Sequence, residues 1–372
     1  MKKVLILFGT RPEAIKMAPL VKEFLKFPDK FETKVCLTAQ HREMLDQVME
    51  FFSLKSDYDL DLMTPNQTLY TITAKIIKGL ESVMEDFQPD LVFVHGDTTT
   101  SFAGALAAFY AGAKIGHVEA GLRTFNKLAP FPEEINRSLV GRLADFHFAP
   151  TQKAKENLLK ENIQPEYISV TGNTVIDALK ISAGEVDQMD LEEIEEIKSK
   201  INWDKKVILV TGHRRENFGE AFINIFLALK DLANENIEIV YPVHLNPNVQ
   251  KPVQEILKGI KNVHLIKPLS YPSFVWFIKS SYLIISDSGG IQEEAPYLGK
   301  PVLVLRDTTE RPEAVEAGTV KLVGSNKERI IAETRRLIND KEEYDRMSES
   351  KNPFGDGDAS QKIMDFISNI SF

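Results

Sequence analysis

Short apolar runs alternate along the chain with longer segments whose apolar residues recur at helical spacing. In the first half these runs predict buried strands. They lie at residues 4–8, 33–37, 91–94, 114–118 and 146–149. The segments between them, such as residues 71–87 and 99–110, predict helices. Strands that alternate with helices indicate βαβ units, which form a parallel sheet covered on both faces.

The same alternation restarts after Gly172, with a second set of apolar runs. They lie at residues 207–211, 237–242, 263–266, 283–286, 302–305 and 320–323. The sequence therefore predicts an α/β protein with two doubly wound, Rossmann-like domains, at residues 1–171 and 172–360. We assign an amphipathic helix at residues 361–372 to the first domain. Ligands of such sheets bind at the carboxyl ends of the strands, so we expect the site in a central cleft between the domains.

Composition and charge narrow the possible partners. The net charge of −9 argues against a nucleic acid or an anionic membrane as the main partner. Cys36 is the single cysteine, so an intrachain disulfide is impossible and a reducing compartment fits. No apolar stretch approaches the length that spans a bilayer. We expect a cytoplasmic protein.

The first strand end is followed by a helix start that carries cations. In residues 8–20, FGTRPEAIKMAPL, Thr10 and Glu13 have the spacing of a capping box, and Arg11 and Lys16 lie beside it. Free N–H groups and nearby cations favour an anionic ligand. A plain turn with solvated charges is the alternative.

Three carboxylates lie at or just after predicted strand ends: Asp97, Glu119 and Glu133. Carboxylates crowded in one cleft raise one another's pKa values, which suits general acid–base catalysis. Arg137 lies four residues after Glu133 and thus on the same helix face. If each residue is considered alone, the alternative to a catalytic role is a helix cap for Asp97 and a surface ion pair for Glu133. An aspartic dyad or a divalent metal would use the same residue types, although no His/Asp spacing favours a metal.

Basic residues follow two predicted strands of the second domain. His213, Arg214 and Arg215 come directly after one strand, and Arg306 and Arg311 follow another. Several cations at strand ends suit a diphosphate, and a histidine there can protonate a leaving group. A solvated basic turn is the alternative.

The stretch SDSGGIQEEAP, residues 286–296, places two glycines between a predicted strand and a helix. Ser288, Gly289 and Gly290 predict a close approach of an oxyanion to the backbone. Glu293 or Glu294 would then accept hydrogen bonds from ribose hydroxyls. This region is therefore a candidate cradle for a nucleoside diphosphate.

Three common motifs are absent from the sequence. It has no GxxxxGK[ST] loop, no GxGxxG after the first strand and no GxSxG elbow. These absences argue against a P-loop NTPase, a dinucleotide-dependent oxidoreductase and an α/β-hydrolase.

Taken together, the motifs resemble the non-hydrolysing UDP-N-acetylglucosamine 2-epimerases, which have the two-domain GT-B architecture. The motifs that carry the resemblance include FGTRPEAIKMAPL, VHGDTTTS, GHVEAGLRT, PFPEEINR, TGNTVIDAL, GHRRENFGE, DSGGIQEEAP and PVLVLRDTTERPEA. The resemblance implies interconversion of UDP-GlcNAc and UDP-ManNAc, without a cofactor, by a homodimer. It also implies that the product supplies ManNAc for surface polysaccharide.

The resemblance also implies a mechanism and residue roles. A base removes the proton at C2 while UDP leaves C1, which gives 2-acetamidoglucal, and UDP then adds back after the proton is returned on the other face. The implied catalytic residues are Asp97, Glu119, Glu133 and His213. The implied substrate-binding residues are Arg11, Lys16, Arg137, Ser288, Gly289, Gly290, Glu294 and Arg311.

Bacterial members of the family have an allosteric UDP-GlcNAc site. Gln40, Gln67 and His244 match it, but Glu43 stands where such members have glutamine and Asn66 where they have arginine. An added anion and a lost cation would weaken binding of a second diphosphate. The sequence therefore argues against allosteric activation.

Four other functions share much of this pattern. They are a hydrolysing epimerase that releases ManNAc and UDP, a 2-epimerase for a modified UDP-HexNAc, a GT-B glycosyltransferase and a catalytically silent nucleotide-sugar sensor. The match of RPEAIKMAPL and QEEAP favours the non-hydrolysing enzyme over the hydrolysing one. A transferase would need an acceptor groove, for which the sequence offers no candidate, and a sensor would not need the carboxylates.

Overall fold

The computed structural model describes residues 1–38, 42–62, 64 and 67–370, without the side chains of residues 42–44. The chain divides into two compact units. The N-unit comprises Met1–Ala178 and Phe354–Phe372, and the C-unit comprises Leu179–Pro353.

The described strands are β1 (Lys2–Phe8), β2 (Phe31–Leu37), β3 (Tyr58–Asp59), β4 (Leu91–His95), β5 (Lys114–Val118), β6 (Phe146–Ala149), β7 (Ile168–Val170), β8 (Lys206–Thr211), β9 (Ile237–Pro242), β10 (Val263–Ile266), β11 (Leu283–Ser286), β12 (Val302–Val304) and β13 (Val320–Leu322). The described α-helices are α1 (Arg11–Leu25), α2 (Arg42–Phe51), α3 (Leu69–Phe87), α4 (Thr99–Tyr110), α5 (Glu133–Leu143), α6 (Gln152–Lys160), α7 (Thr174–Glu185), α8 (Glu192–Lys200), α9 (Glu220–Leu232), α10 (Pro247–Leu257), α11 (Tyr271–Ser280), α12 (Ile291–Tyr297), α13 (Pro312–Glu316), α14 (Lys327–Asn339), α15 (Lys341–Ser348) and α16 (Ala359–Ser368).

The N-unit contains a parallel sheet with the strand order β3-β2-β1-β4-β5-β6-β7. The two central strands, β1 and β4, contain continuous buried apolar runs, as a doubly wound sheet requires. The two outermost strands, β3 and β7, were not predicted. They have only two and three residues and include exposed positions, so they lack the apolar run that marks a buried strand.

The C-unit contains a second parallel sheet, with the strand order β10-β9-β8-β11-β12-β13. All six strands coincide with predicted apolar runs. One face is covered by α9, whose Phe222 and Phe226 rings stack 5.2 Å apart, centroid to centroid, within the core. The predicted fold class, two parallel α/β domains, is thus confirmed.

Glu13 ties two turns of the N-unit together at the carboxyl edge of its sheet. It completes a capping box with Thr10 at the start of α1. Its buried carboxylate also accepts hydrogen bonds from Thr98 Oγ1 (2.6 Å) and Ser101 Oγ (3.2 Å) at the start of α4. Burial raises the pKa of Glu13, and the hydrogen bonds from Thr98, Thr10 and Gly9 oppose the rise. The ends of β1 and β4 are thereby held side by side.

The boundary between the units falls within α7, after Ala178, whereas the prediction placed it after residue 171. The start of α7 belongs to the N-unit because it binds the chain's last segment. Asp177 accepts hydrogen bonds from the backbone N–H groups of Ala359 (3.1 Å) and Ser360 (2.7 Å), at the start of α16. The second boundary lies at Phe354, earlier than predicted, because Phe354 O accepts from Asn173 N at 2.7 Å.

None of the helices within the described ranges is long and apolar enough to cross a membrane.

Gly121 is a position where any side chain should destabilise the N-unit. Its φ is +90°, and a Cβ there would lie 2.3 Å from Ala154 O in the first turn of α6. We expect Gly121→Ala to lower the free energy of unfolding by about 2–4 kcal/mol, through backbone strain and overpacking. Gly184→Ala is the matched control, since a Cβ there meets nothing within 4 Å. Urea unfolding of both variants tests this, and equal stabilities would contradict it.

Three buried histidines make the stability of the N-unit depend on pH. Burial lowers the pKa of His95 and His147 to about 4 and that of His117 to about 3. In the unfolded chain histidine titrates near 6.5, roughly, so the unfolded state binds more protons at mildly acidic pH. The contribution to stability is therefore complete above about pH 6.5 and is lost as the pH falls towards about 4.

We expect the urea midpoint of the N-unit to fall between about pH 7.5 and about pH 5. Both tryptophans of the chain, Trp203 and Trp276, lie in the C-unit. Tryptophan fluorescence thus follows the C-unit, while circular dichroism follows both, and the difference isolates the N-unit. The substitution His147→Gln should flatten the pH dependence. An N-unit midpoint that does not change with pH would refute the linkage.

Candidate active site

Two of the predicted carboxylates of the N-unit, Glu119 and Glu133, lie within electrostatic reach of the third, Asp97. Asp97 follows β4, Glu119 follows β5 directly, and Glu133 is the first residue of α5. Burial raises the pKa of Asp97; Arg137 opposes the rise, while the charges of Glu119 and Glu133 add to it. Asp97 therefore binds a proton more readily than an aspartate in water, as a general acid–base group must near neutral pH.

Helix α5 holds Asp97 from one side. Arg137 Nη2 donates to Asp97 Oδ2, and Asn136 Nδ2 donates to the Asp97 carbonyl at 2.9 Å. Arg137 also lies 3.6 Å from Glu134, the residue after Glu133. Within the described part of the chain, Glu133 Oε2 is buried without a hydrogen-bond partner. Arg137, on the predicted helix face, thus binds Asp97 and does not form the surface ion pair that was the alternative.

Glu119 has an unusual backbone conformation and a crowded carboxylate. Its φ of 60° lies in the left-handed region, which costs a non-glycine residue free energy. Its Oε2 accepts from Lys16 Nζ and from Asn173 Nδ2, the latter at 2.7 Å, and lies 3.7 Å from His95 Nε2. Lys16, which the sequence analysis placed beside the diphosphate, therefore pairs with a carboxylate.

In the C-unit, Asp287 holds the loop that carries His213. This fully buried carboxylate follows β11 and accepts from the backbone N–H groups of His213 and Arg214, both at 2.9 Å. It also accepts from Asn217 Nδ2 at 3.1 Å. Asp287 thus fixes the backbone from which the His213 and Arg214 side chains extend. The sequence analysis missed it, although it lies at a strand's carboxyl end like the acids that were selected.

The His213 ring stacks on His244, with the ring centroids 5.4 Å apart and the planes 18° from parallel. Its Nδ1 lies 3.5 Å from Asp287 Oδ1. Burial lowers the pKa of His213 and the Asp287 charge opposes this. His213 was predicted as catalytic and His244 as allosteric, and the structure brings the two side chains together.

Three arginines of the C-unit converge on one carboxylate. Glu310 contacts Arg214 Nη2 (3.0 Å), Arg306 Nη1 (2.5 Å) and Arg311 Nη1 (2.8 Å). Burial alone would raise the pKa of Glu310, but the three guanidinium groups lower it to about 2. Arg311 Nε also donates to the buried Glu293 at 2.5 Å. Arg306 Nε also lies 2.8 Å from Glu216 Oε1, so the cluster combines three carboxylates with three guanidinium groups of the kind that bind a diphosphate.

The two glycines after β11, which have no side chains of their own, leave space that neighbouring side chains occupy. A Cβ on Gly289 would lie 2.8 Å from Arg311 Nη1, so the guanidinium rests against this glycine. A Cβ on Gly290 would lie 3.0 Å from Glu294 Oε1. Ser288 N donates to Ser286 Oγ at 3.0 Å, which orients the turn. Gly289 therefore permits the arginine to approach the place predicted for the oxyanion.

The structure describes some of the remaining predicted residues and not others. Arg11 is the first residue of α1, and Gln67 Nε2 donates to Leu62 O. Gln40, Asn66 and the side chain of Glu43 lie outside the described residues. The allosteric assignment stays a prediction.

The described ranges also contain a cavity away from the predicted site residues. A cavity of about 950 Å³ lies along α3 and α4, and none of the predicted site residues lines it. Among the described residues, no three His, Cys, Asp or Glu side chains are arranged to hold a metal ion.

Comparison with known proteins identifies the family. The model of the UDP-N-acetylglucosamine 2-epimerase family matches residues 25–368. A UDP-N-acetylglucosamine 2-epimerase from Campylobacter jejuni is 57% identical over 373 residues, which cover 98% of this chain and 97% of that protein.

Solved structures agree with this match. The crystal structure of UDP-GlcNAc 2-epimerase from Neisseria meningitidis bound to UDP-GlcNAc is 54% identical and covers 99% of this chain and 100% of that one, with a TM-score of 0.91. The enzyme from Methanocaldococcus jannaschii, in complex with UDP-GlcNAc and UDP, is 35% identical with a TM-score of 0.81 and 99% coverage of both chains. The family predicted from the motifs is confirmed, and the chain belongs to the UDP-N-acetylglucosamine 2-epimerase family.

Proposed function

We propose that the protein is a non-hydrolysing UDP-N-acetylglucosamine 2-epimerase, an isomerase that interconverts UDP-GlcNAc and UDP-ManNAc. Family membership supports the epimerase class. The observation that carries the proposal is the group of three carboxylates, Asp97, Glu119 and Glu133, in which the pKa of Asp97 is raised by burial. Inversion at C2 needs proton transfer on both faces of that carbon, and so needs more than one such group.

The role assigned to the N-unit is to transfer protons to and from C2 of the sugar. A carboxylate takes the C2 proton, the C2–H electron pair becomes the C1=C2 double bond, and the C1–O pair leaves with UDP. Return of a proton to the opposite face of C2, with attack of the UDP oxygen on C1, gives the epimer. The same steps in reverse restore the substrate, so no oxidant or reductant is consumed.

The role assigned to the C-unit is to stabilise the negative charge of UDP as it leaves. Departure of UDP concentrates negative charge on the β-phosphate, which guanidinium groups stabilise. Arg214, Arg306 and Arg311 already converge on the carboxylate of Glu310. We assign the diphosphate to this arginine cluster. His213, whose pKa is lowered, still donates one N–H to a phosphate oxygen as a neutral ring.

The ribose contact is assigned to Glu294 rather than Glu293. Glu293 is buried and already bound to Arg311 Nε. Glu294 lies one residue further along α12, with its carboxylate over Gly290. Cytoplasmic location, a homodimer and a role in surface polysaccharide remain parts of this proposal.

Incubation with UDP-GlcNAc in deuterated water, followed by proton NMR, tests the function. We expect UDP-ManNAc that carries deuterium at C2, because the abstracted proton exchanges with solvent, and no free sugar. Free ManNAc with UDP would instead indicate the hydrolysing reaction. Binding of UDP without any change to UDP-GlcNAc would contradict the proposal and favour a modified sugar or a transferase.

Asp97→Asn separates catalysis from nucleotide binding. We expect kcat to fall by roughly 10²–10⁴-fold, since the amide cannot exchange the proton. The Kd for UDP, measured by calorimetry, should stay within about twofold, because Asp97 is assigned to the sugar. Asp145→Asn is the matched control, because the Asp145 carboxylate in the N-unit is likewise bound by a cation, Lys114 Nζ, at 2.7 Å. Retained turnover in Asp97→Asn would refute the mechanism.

A further inference from the structure

Asn173 lies just before α7 and is buried, with 2% of its surface exposed. The two ends of its side-chain amide have different partners. Oδ1 accepts from Val175 N at 3.1 Å, and Nδ2 donates to Glu119 Oε2 at 2.7 Å. Because the N–H of Val175 can only donate, it determines which end of the amide faces Glu119. A flipped amide would place its NH2 group against the Val175 N–H and its oxygen against the Glu119 carboxylate, so that both hydrogen bonds would be lost.

Several charged and polar groups of the described residues lie around the Glu119 carboxylate. Lys16 Nζ, from α1, donates to the same Oε2 as Asn173. His95, from β4, has its Nε2 3.7 Å away and a pKa lowered to about 4 by burial, so it is neutral near pH 7. Asp97 lies near enough for the Glu119 charge to raise its pKa. Two donors therefore favour the charged form of Glu119, and one neighbouring acid opposes it.

We propose that Asn173 is a positioning residue for Glu119, which it holds charged and oriented towards C2 of the sugar. The inference rests on the proposed function, in which Glu119 handles a proton. The backbone conformation of Glu119, with its φ of 60°, means that the carboxylate does not reach this place from a relaxed strand end. The contact with Asn173 fixes the carboxylate against the start of α7.

A purely structural role for Asn173 would use other atoms. Its backbone N–H donates to Phe354 O at 2.7 Å, and its Oδ1 caps the first turn of α7 through Val175. Neither contact needs Nδ2. The donor to Glu119 can therefore be removed by a substitution that keeps both structural contacts.

Asn173→Asp is that substitution, since aspartate has the same shape and still accepts from Val175 N. It replaces the donor with an oxygen and places a second carboxylate against Glu119, and two such acids cannot both ionise easily. We expect the acid limb of the kcat/KM profile to move up by about one pH unit or more. At neutral pH kcat should fall roughly tenfold or more, and it should recover partly at higher pH.

Asn326→Asp is the matched control, because Asn326 caps α14 of the C-unit by accepting from Arg329 N at 2.8 Å. It should leave the pH profile and kcat unchanged. The Kd for UDP should stay within about twofold in both variants. Wild-type kinetics and pH profile in Asn173→Asp would overturn the inference.

A second readout does not depend on turnover. In protein with ¹³C-labelled glutamate carboxyl groups, the Glu119 resonance, assigned with Glu119→Gln, should titrate at higher pH in Asn173→Asp than in wild type. An unchanged titration would also overturn the inference. Failure of the wild-type protein to epimerise UDP-GlcNAc would count against the proposed function alone, and the titration would still decide the contact.

Discussion

Each sheet of this protein depends on one buried carboxylate at the point where its strand order reverses. In the N-unit the order runs outward from the neighbours β1 and β4, and Glu13 joins the turns that follow these two strands. In the C-unit the corresponding neighbours are β8 and β11, and Asp287 joins the turns that follow them. Such switch points are where doubly wound sheets bind ligands, because the two connections diverge there to opposite faces. A buried acceptor for several N–H and O–H donors prevents those diverging turns from separating.

The charges built on this frame are arranged as pairs. In the N-unit, Lys16 pairs with Glu119 and Arg137 pairs with Asp97, so two of the three carboxylates assigned to the sugar have a cation beside them. In the C-unit three arginines surround Glu310, and two of them also pair with Glu216 and Glu293. A partly buried charge without a partner would lose much of its hydration without compensation. The pairing therefore allows acids and cations to be concentrated at a strand edge of a folded protein.

Much of the fold could be predicted from the sequence, because a strand buried on both faces must be an apolar run. The two strands that were missed, β3 and β7, lie at the sheet edges, where short length and partial exposure remove that pattern. The motifs also located most of the candidate site, since the carboxyl ends of parallel strands meet at one edge. Partners were harder to predict: Lys16 was assigned to the diphosphate, yet it pairs with Glu119, which is 103 positions away in the chain.

The sequence by itself determined the class of fold, the family and the choice of candidate site residues, since periodicity and motif spacing are local properties. Only the tertiary structure decided which cation meets which acid, that Asn173 faces Glu119, and that Asp287 and Glu13 hold the strand ends. It also showed that Gly289 makes room for Arg311. These outcomes depend on strand order and on the return of the last segment to the start of α7, which bring together residues that no short stretch of sequence contains.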